Sequence, residues 1–367
     1  MRASGAAVDR SRRRIAFQRG RCQRVIMFPG ANWHDLLRTE FTLRRSGLWR
    51  LIPMSKTFKH VFGPVPSRRL GRSLGVDLVP FKTCTYDCVY CQLGRTTCKT
   101  VERKEWVPTN AVLDELKQKL ASRPDYITLS GSGEPTLHSH LGEIIEHIQA
   151  MSDIPVAVLT NGSLLWQEAV REELAQADVV LPSLSAGDSF QFVAFNRPDA
   201  SLTFEQVVEG LVAFRHGFVG QYWLEVFLLG DYNDIEARVR PLADWVKRIQ
   251  PDRVQLNTAT RPPAEEYAVP VPPEGLTELA RLFSPQAEVI ADHHRQAKHF
   301  PADASRQTIL ALLQRRPCST GDVARALGLN PSEAVKLLAG LEAEGQVRQI
   351  RHGSGYFYQP RHPRRGT

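Results

Sequence analysis

Short apolar runs alternate with amphipathic stretches between residues 73 and 257. The apolar runs predict six β-strands, at residues 74–79, 126–129, 155–160, 178–184, 222–229 and 253–257. The amphipathic stretches between them predict five α-helices, at residues 110–121, 139–151, 164–176, 203–216 and 233–249. This alternation predicts an α/β fold in which helices cover a parallel sheet.

The pattern changes after Pro301, where three short helices and a β-hairpin are predicted. The helices are expected at residues 305–316, 319–327 and 330–344, and the two strands at 346–351 and 356–358. This order resembles a winged helix, with the third helix in the recognition position. Since Lys336 is the only basic residue of that helix, both docking on protein and binding of nucleic acid stay open.

The net charge of +8 belongs to the start of the chain. Residues 1–53 contain twelve arginines, no lysine and three acidic residues, which leaves a net charge of −1 for residues 54–367. We therefore expect an Arg-rich, disordered extension over residues 1–53, with a transit peptide or an RNA-binding arm as alternatives. The expected domains after it are residues 54–300, a winged helix at 301–360 and a basic tail at 361–367.

Composition excludes several classes of protein. The chain is 42% hydrophobic and 23% charged, which is typical of a globular protein with a sizeable core. No apolar stretch approaches the roughly 18 residues of a membrane span, and no secretory signal is recognisable. Six cysteines in 367 residues are too sparse for a disulfide framework. These features predict a cytoplasmic protein without a membrane partner.

Three cysteines, Cys84, Cys88 and Cys91, lie within eight residues at the spacing C-x3-C-x2-C. Three thiolates can hold three irons of a four-iron cluster and leave the fourth iron open to a substrate or cofactor. A zinc site, or a cluster closed by Cys98 as a fourth ligand, is the alternative that the spacing leaves open.

Polar, glycine-containing loops follow the predicted strands. Besides the cysteine loop, they are residues 130–136, 160–162, 183–188 and 257–262. The carboxyl ends of parallel strands meet at one edge of the sheet, where such folds bind their ligands. Because a structural zinc site gives no reason for the other loops, this arrangement favours a ligand site over a structural metal.

The cysteine spacing, with Tyr90 directly before the last cysteine, resembles the cluster motif of the radical S-adenosylmethionine (SAM) superfamily. The resemblance implies a partial (β/α)6 barrel of the TIM type that binds a [4Fe-4S] cluster and SAM. It implies reductive cleavage of SAM to a 5′-deoxyadenosyl radical, which abstracts hydrogen from a substrate. An electron donor such as flavodoxin or ferredoxin is the implied protein partner.

The same resemblance implies contacts with SAM. Ser132, Gly133 and Glu134 occupy the place of a Gly-Gly-Glu motif that binds the SAM ammonium, with serine replacing the first glycine. The implied roles of the remaining residues are adenine contact for Tyr90, ribose and carboxylate contacts for Asn161 and Ser185, and recognition of a carboxylate or phosphate by Arg197.

Further sequence segments between residues 58 and 265 resemble a branch of the radical SAM iron–sulfur oxidoreductases. This branch is grouped with the wyosine tRNA-modifying enzymes. This makes RNA or tRNA a candidate substrate, although the cysteines for a second cluster are missing. Arg68, Arg69 and Arg72 form a basic segment with two interpretations. It is either a site for a phosphate of substrate or RNA, or a basic loop exposed to solvent. The alternative function is a winged-helix regulator that binds nucleic acid and senses redox state through its cluster.

Overall fold

The structure of the protein, a computed structural model, describes residues 59–291, 306–353 and 355–361. The predictions of a disordered extension and of a basic tail beyond Arg361 lie outside the described residues. Among the described residues, no helix is both long and apolar enough to cross a membrane.

The strands and helices are numbered in chain order. The strands are β1 Val61–Ser67, β2 Gly71–Val76, β3 Thr83–Cys84, β4 Cys98–Lys99, β5 Tyr126–Leu129, β6 Val156–Thr160, β7 Val179–Leu184, β8 Gln221–Leu228, β9 Arg253–Thr258, β10 Glu288–Val289, β11 Val347–His352 and β12 Gly355–Pro360. The helices are α1 Thr109–Lys119, α2 Leu141–Met151, α3 Glu168–Leu174, α4 Ser189–Gln191, α5 Phe204–Gly217, α6 Glu236–Ile249, α7 Pro273–Leu279, α8 Arg306–Arg315, α9 Thr320–Leu327 and α10 Pro331–Ala343. A π-helix, Phe192–Asn196, follows α4 directly.

An eight-stranded sheet has the order β1-β2-β5-β6-β7-β8-β9-β10. From β2 onward all neighbours are parallel, whereas β1 pairs antiparallel with β2 at one edge. The six predicted strands correspond to β2 and β5 to β9, so the α/β prediction and the partial barrel are confirmed. The edge strand β1 escaped prediction because two prolines and a glycine interrupt its sequence.

The two faces of the sheet have different chemistry. Along β8, Tyr222, Leu224 and Val226 are buried in the core that the sheet forms with the helices. Glu225 and Phe227 alternate with them and therefore point to the helix-free face. That inner face also carries the buried polar side chains Gln255 and Asn257 on β9, so the concave side of the sheet can hold a polar ligand.

The described C-terminal residues form the predicted winged helix, with α8, α9 and α10 packed on the β11–β12 hairpin around their own apolar core. Ser319 and Asp322 make a capping box at the start of α9. Asn330 caps α10 through Ser332 N, as its sequence predicts. The recognition helix is therefore built as expected, and its local sequence is sufficient to explain it.

The winged helix contacts both edges of the sheet. On the β1–β2 side, Arg315 of α8 forms an ion pair with Asp77. On the β9 side, His352 Nε2 donates to the Ala259 carbonyl at 2.7 Å, and Arg261 faces Asp322 of α9 at 3.6 Å. The winged helix thus spans the gap that an open six-unit barrel leaves between its first and last strands.

Candidate functional site

The cysteine loop, residues 82–100, follows β2 at the carboxyl edge of the sheet. Strands β3 and β4 pair in parallel and close the loop on itself, with Cys84 opposite Lys99. The Lys82 carbonyl accepts hydrogen bonds from Thr97 N and Cys98 N, both at 3.1 Å. Because of this closure, Cys84, Cys88 and Cys91 lie inside a compact loop, whereas Cys98 lies on the strand that closes it.

A second set of backbone bonds fixes the other side of the loop. Val89 N donates to the Phe195 carbonyl at 2.9 Å, and Asp87 N donates to the Asn196 carbonyl at 3.0 Å. Both acceptors lie at the end of the π-helix, and a one-residue bridge between Tyr86 and Pro198 continues the contact. The loop is therefore held between its own β-bridge and an element more than 90 residues away in sequence.

Each of the three clustered sulfurs accepts a hydrogen bond from a nitrogen of a different part of the fold. The bonds are Lys82 Nζ to Cys91 Sγ at 3.2 Å, Asn161 Nδ2 to Cys84 Sγ at 3.5 Å, and Asn196 Nδ2 to Cys88 Sγ at 3.6 Å. Donors aimed at sulfur favour a thiolate over a thiol, and such bonds tune the sulfur ligands of iron–sulfur clusters. The donor set fits a thiolate-bound cluster.

The thiols themselves are buried. Burial raises the pKa of the Cys84 thiol and raises the pKa of Cys88 to about 12. Without metal, the thiols of Cys84 and Cys88 therefore keep their protons at neutral pH, and iron has to displace these protons when it binds. Within the described residues, no three His, Cys, Asp or Glu side chains converge on a point that one metal ion could occupy. Thiolates of an iron–sulfur cluster do not need to converge, because each binds a different iron.

Glu134 is buried at the end of the loop that follows β5. Its carboxylate accepts hydrogen bonds from Thr136 N at 3.1 Å, Thr136 Oγ1 at 2.7 Å, Thr160 Oγ1 at 2.6 Å and Asn161 N at 2.7 Å. Burial raises the pKa of Glu134, and these bonds oppose the rise. The carboxylate thus joins the β5 loop to the β6 loop and holds Asn161, which in turn contacts Cys84.

The other two residues of this motif pack directly against the cysteine loop. A Cβ atom on Gly133 would lie 1.8 Å from the Thr83 carbonyl oxygen, so only glycine allows this approach. The Ser132 carbonyl accepts from Lys82 N at 2.6 Å, and Ser132 N donates to Asp77 Oδ1 at 2.9 Å. The motif therefore positions the residue that contacts Cys91.

Tyr90 and Ser185 meet on the inner face of the sheet. The Tyr90 ring stacks on Phe227 with centroids 4.1 Å apart, and its hydroxyl donates to Ser185 Oγ at 2.9 Å. Ser185 Oγ in turn donates to Asn196 Oδ1 at 3.0 Å. Burial raises the pKa of Tyr90 well above its usual value, so the hydroxyl remains a hydrogen-bond donor across the physiological range.

Arg197 lies at the outer side of the loop and uses its guanidinium within the protein. Nη1 bonds Glu265 and Nη2 donates to the Tyr267 hydroxyl at 2.9 Å. Glu265 also pairs with Arg95. The structure therefore brings together the three cysteines, Tyr90, Asn161 and Ser185, while Arg197 is engaged in a surface ion pair.

Two residues that contact the sulfurs were not predicted from sequence. Lys82 stands two positions before the first cysteine and has a left-handed backbone, with φ of 61°. Asn196 belongs to the segment Asn-Arg-Pro, of which only the arginine, Arg197, was predicted as a site residue. A lysine two positions before a cysteine motif can be recognised in the sequence as a candidate sulfur contact. The proximity of Asn196 to Cys88 cannot, because it depends on the π-helix.

Comparison with known proteins agrees with this geometry. Residues 78–242 match the family model described as the radical SAM superfamily, and residues 293–351 match the model described as the DprA winged helix domain. A crystal structure of a radical SAM methyltransferase from Sphaerobacter thermophilus aligns with a TM-score of 0.45 and 15% identity. The alignment covers 59% of this chain and 66% of that one.

Two curated relatives have higher identity. The chain is 39% identical over 296 residues to a protein named GTPase Obg from Brachyspira hyodysenteriae, an alignment that covers 79% of this chain but only 44% of that protein. It is 37% identical over 227 residues to a UPF0026 protein of Methanocaldococcus jannaschii, with 61% of this chain and 70% of the relative covered. The chain therefore belongs to the UPF0026 family and, by its cysteine-containing domain, to the radical SAM superfamily of enzymes.

Proposed function

We propose that Cys84, Cys88 and Cys91 hold a [4Fe-4S] cluster and that the chain uses SAM to abstract hydrogen from a substrate. When bound, the cluster supplies an electron and an open iron for SAM, whose reductive cleavage yields a 5′-deoxyadenosyl radical. The observation that carries the proposal is the set of three nitrogen donors on the three sulfurs. Incidental cysteines give no reason for such a set.

The chain's own residues supply position and shielding. Asn161 and Asn196 orient Cys84 and Cys88 through their amide groups, and Glu134 fixes the backbone of Asn161. Since the Glu134 carboxylate is engaged by four protein donors and the Ser132 carbonyl accepts from Lys82 N, we assign the ammonium contact to the Gly133 carbonyl. Such preorganised groups cost no reorganisation when the ligand arrives.

Tyr90 and Ser185 line the side of the site that faces the inner surface of the sheet. Beside them lies a small apolar recess lined by Val89, Ala194, Phe195, Leu229, Tyr232 and Tyr267. Apolar and aromatic walls suit an adenine ring and exclude water from a reactive intermediate. We therefore assign this recess and Tyr90 to the adenosine part of SAM.

The winged helix packs across the open side of the barrel, next to the inner face of the sheet that carries Tyr90 and Ser185. Arg315, Asp322 and His352, three side chains of this domain, are turned toward the barrel. These contacts favour docking within the protein over binding of nucleic acid by the wing. The substrate is accordingly expected to enter a chamber that the two domains share.

Anaerobic reconstitution of the cluster provides the test. The full chain is incubated with SAM and dithionite, and 5′-deoxyadenosine is measured. We expect 5′-deoxyadenosine to accumulate with wild-type protein and to fall to the level of the protein-free control with Cys88→Ala. An intact cluster that gives no 5′-deoxyadenosine would overturn the proposed reaction.

A further inference from the structure

Four arginines gather where the inner face of the sheet meets the winged helix. This arginine cluster comprises Arg68, Arg69, Arg261 and Arg316, and two acidic residues, Glu225 and Asp322, lie among them. The arginines come from the turn between β1 and β2, the loop after β9 and the end of α8. Three separate segments therefore contribute positive charge to one place.

Two of these arginines are held on the inner face of the sheet. Arg69 forms an ion pair with Glu225 of β8. Arg68 Nη1 donates to the carbonyls of Ile290 and Ala291, both at 3.2 Å, and approaches Asn257 Oδ1 at 3.4 Å. Arg68 thus bridges the two edges of the open barrel, and its guanidinium is positioned before any ligand binds.

The other two arginines have too few partners. Arg261 faces Asp322 at 3.6 Å, which is longer than a hydrogen bond, and Asp322 is closer to Arg325 at 3.1 Å. The Nε of Arg261 is buried and has no hydrogen-bond partner in the structure. The Arg316 guanidinium lies beside the buried Cys318 thiol and acts on Asp322 only through space. A buried donor without an acceptor is unfavourable, especially when it is charged, and an anion that binds beside it supplies the missing acceptor.

The charges do not balance. Among the residues that the structure describes, four arginines face two carboxylates, so two of the positive charges have no counter-charge from this part of the chain. Burial, together with the neighbouring positive charge of Arg316, lowers the pKa of Arg261 to about 10. A site that holds excess positive charge away from water favours the entry of an anion.

A series of side-chain contacts along the inner face of the sheet connects the arginine cluster to the cysteine loop. Asn257 Nδ2 donates to Glu225 Oε1 at 3.3 Å, and Glu225 lies two residues before Phe227 on the same face of β8. Phe227 stacks on Tyr90 of the cysteine loop. A ligand held by the arginines therefore extends along the inner face toward the cysteines.

We propose that the arginine cluster binds the phosphate of a phosphate monoester and that this group anchors the substrate. A phosphate dianion matches two excess positive charges, whereas a carboxylate would neutralise only one. Planar guanidinium groups also form paired hydrogen bonds with phosphate oxygens. The identification of the anion as substrate rests on the proposed function, but phosphate binding itself does not need the iron–sulfur cluster.

Calorimetric titration of the full chain tests this site. Inorganic phosphate, ribose 5-phosphate and acetate are compared as probes, and all variants are first checked for an unchanged melting temperature. We expect both phosphates to bind and acetate to bind at least about tenfold more weakly, since one charge-assisted bond is worth that factor or more. Absence of phosphate binding, or equal binding of acetate, would overturn the proposal.

Variants assign the site to these residues. Arg316→Gln should weaken phosphate binding by about tenfold or more, for the same reason. Arg306→Gln, which removes an arginine from an exposed ion pair with Glu344 in the same domain, should change it by less than about twofold. Asp322→Asn should tighten binding, because a competing carboxylate is removed. Equal affinity in wild type and Arg316→Gln would place the phosphate elsewhere.

The two proposals fail separately. If SAM cleavage is absent while phosphate binds in these variants as expected, the proposed reaction is wrong and the anion site stands. If 5′-deoxyadenosine forms but neither phosphate binds, the reaction stands and the substrate class is wrong.

Discussion

In the described residues, cysteines lie in the cysteine loop and in the winged helix, and the two groups differ in the direction of their sulfur hydrogen bonds. In the cysteine loop, Cys88 Sγ accepts a bond from Asn196 Nδ2. In the winged helix, Cys318 Sγ instead donates to the Arg316 carbonyl at 3.5 Å. A sulfur that donates carries its proton, whereas a sulfur surrounded by donors is suited to lose it.

This difference teaches that burial alone does not identify a metal ligand. Cys318 is fully buried in the apolar core of the winged helix, and its backbone pairs with Tyr358 in both directions. It behaves as a small apolar side chain. The loop cysteines are less buried as residues, yet their sulfurs are the ones that the fold supplies with donors.

The largest expected effect is a difference in iron content between two variants, one that replaces a cysteine of the loop and one that replaces the cysteine of the winged helix. Cys88→Ala should reduce iron from about four atoms per chain to background after reconstitution, because three thiolates are the minimum for an open four-iron cluster. Cys318→Ala should keep the iron but lower the free energy of unfolding by about 1–2 kcal/mol through a small cavity. Iron and sulfide analysis with urea denaturation measures both effects.

Cys98→Ala is the matched control within the loop region, since Cys98 lies on β4 outside the C-x3-C-x2-C run. It should keep the iron content of wild type. If Cys98→Ala loses as much iron as Cys88→Ala, four cysteines hold the metal and the open iron position is wrong.

Substitutions of Glu134 distinguish a residue that supports the cysteine loop from one that contacts SAM directly. Glu134→Ala leaves buried donors of Thr136, Thr160 and Asn161 without an acceptor. We expect the free energy of unfolding to fall by about 3 kcal/mol or more in the cluster-free protein, with a smaller loss for Glu134→Gln. Urea denaturation measures this loss. Unchanged stability combined with weaker SAM binding would instead make Glu134 a direct ligand contact.

The smallest expected effect concerns the charge next to Cys91. Lys82→Met removes an ammonium from the Cys91 sulfur and should lower the reduction potential of the cluster, because a positive charge stabilises the more negative, reduced form. The shift should be on the order of 50 mV, which corresponds to about 1 kcal/mol for one electron. Lys117→Met, a charge loss on the exposed side of α1, is the control. Potentiometric titration followed by electron paramagnetic resonance measures the reduction potential of the cluster in each variant. If Lys82→Met has the same potential as Lys117→Met, Lys82 does not tune the cluster.

Much of the fold could be predicted from the sequence because buried parallel strands read as short apolar runs. The strands β5 to β9 and the helices of the winged helix follow such local signals. The edge strand β1 and the helix α7 were not predicted, because proline and glycine interrupt the first and the second begins at Pro273, directly after Pro272. Local sequence is least informative where an element lies at an edge.

The site was predictable in part for the same reason. The three cysteines share one loop, and their spacing carries their chemistry. The partners Asn161 and Asn196 come from the ends of other elements, and only the packed sheet and the π-helix bring them to the sulfurs. The hydrogen bonds that hold Glu134 come from Thr160 and Asn161, which lie more than 25 residues away in sequence. Such pairing has no local signature.

Binding of SAM to the reduced cluster tests the central claim most directly. The reconstituted full chain is reduced, and its electron paramagnetic resonance spectrum is recorded before and after SAM is added. An iron with an open position should bind SAM, so we expect the spectrum of the cluster to change in wild type and in Cys98→Ala. A reduced cluster whose spectrum is the same with and without SAM would contradict the three-cysteine account.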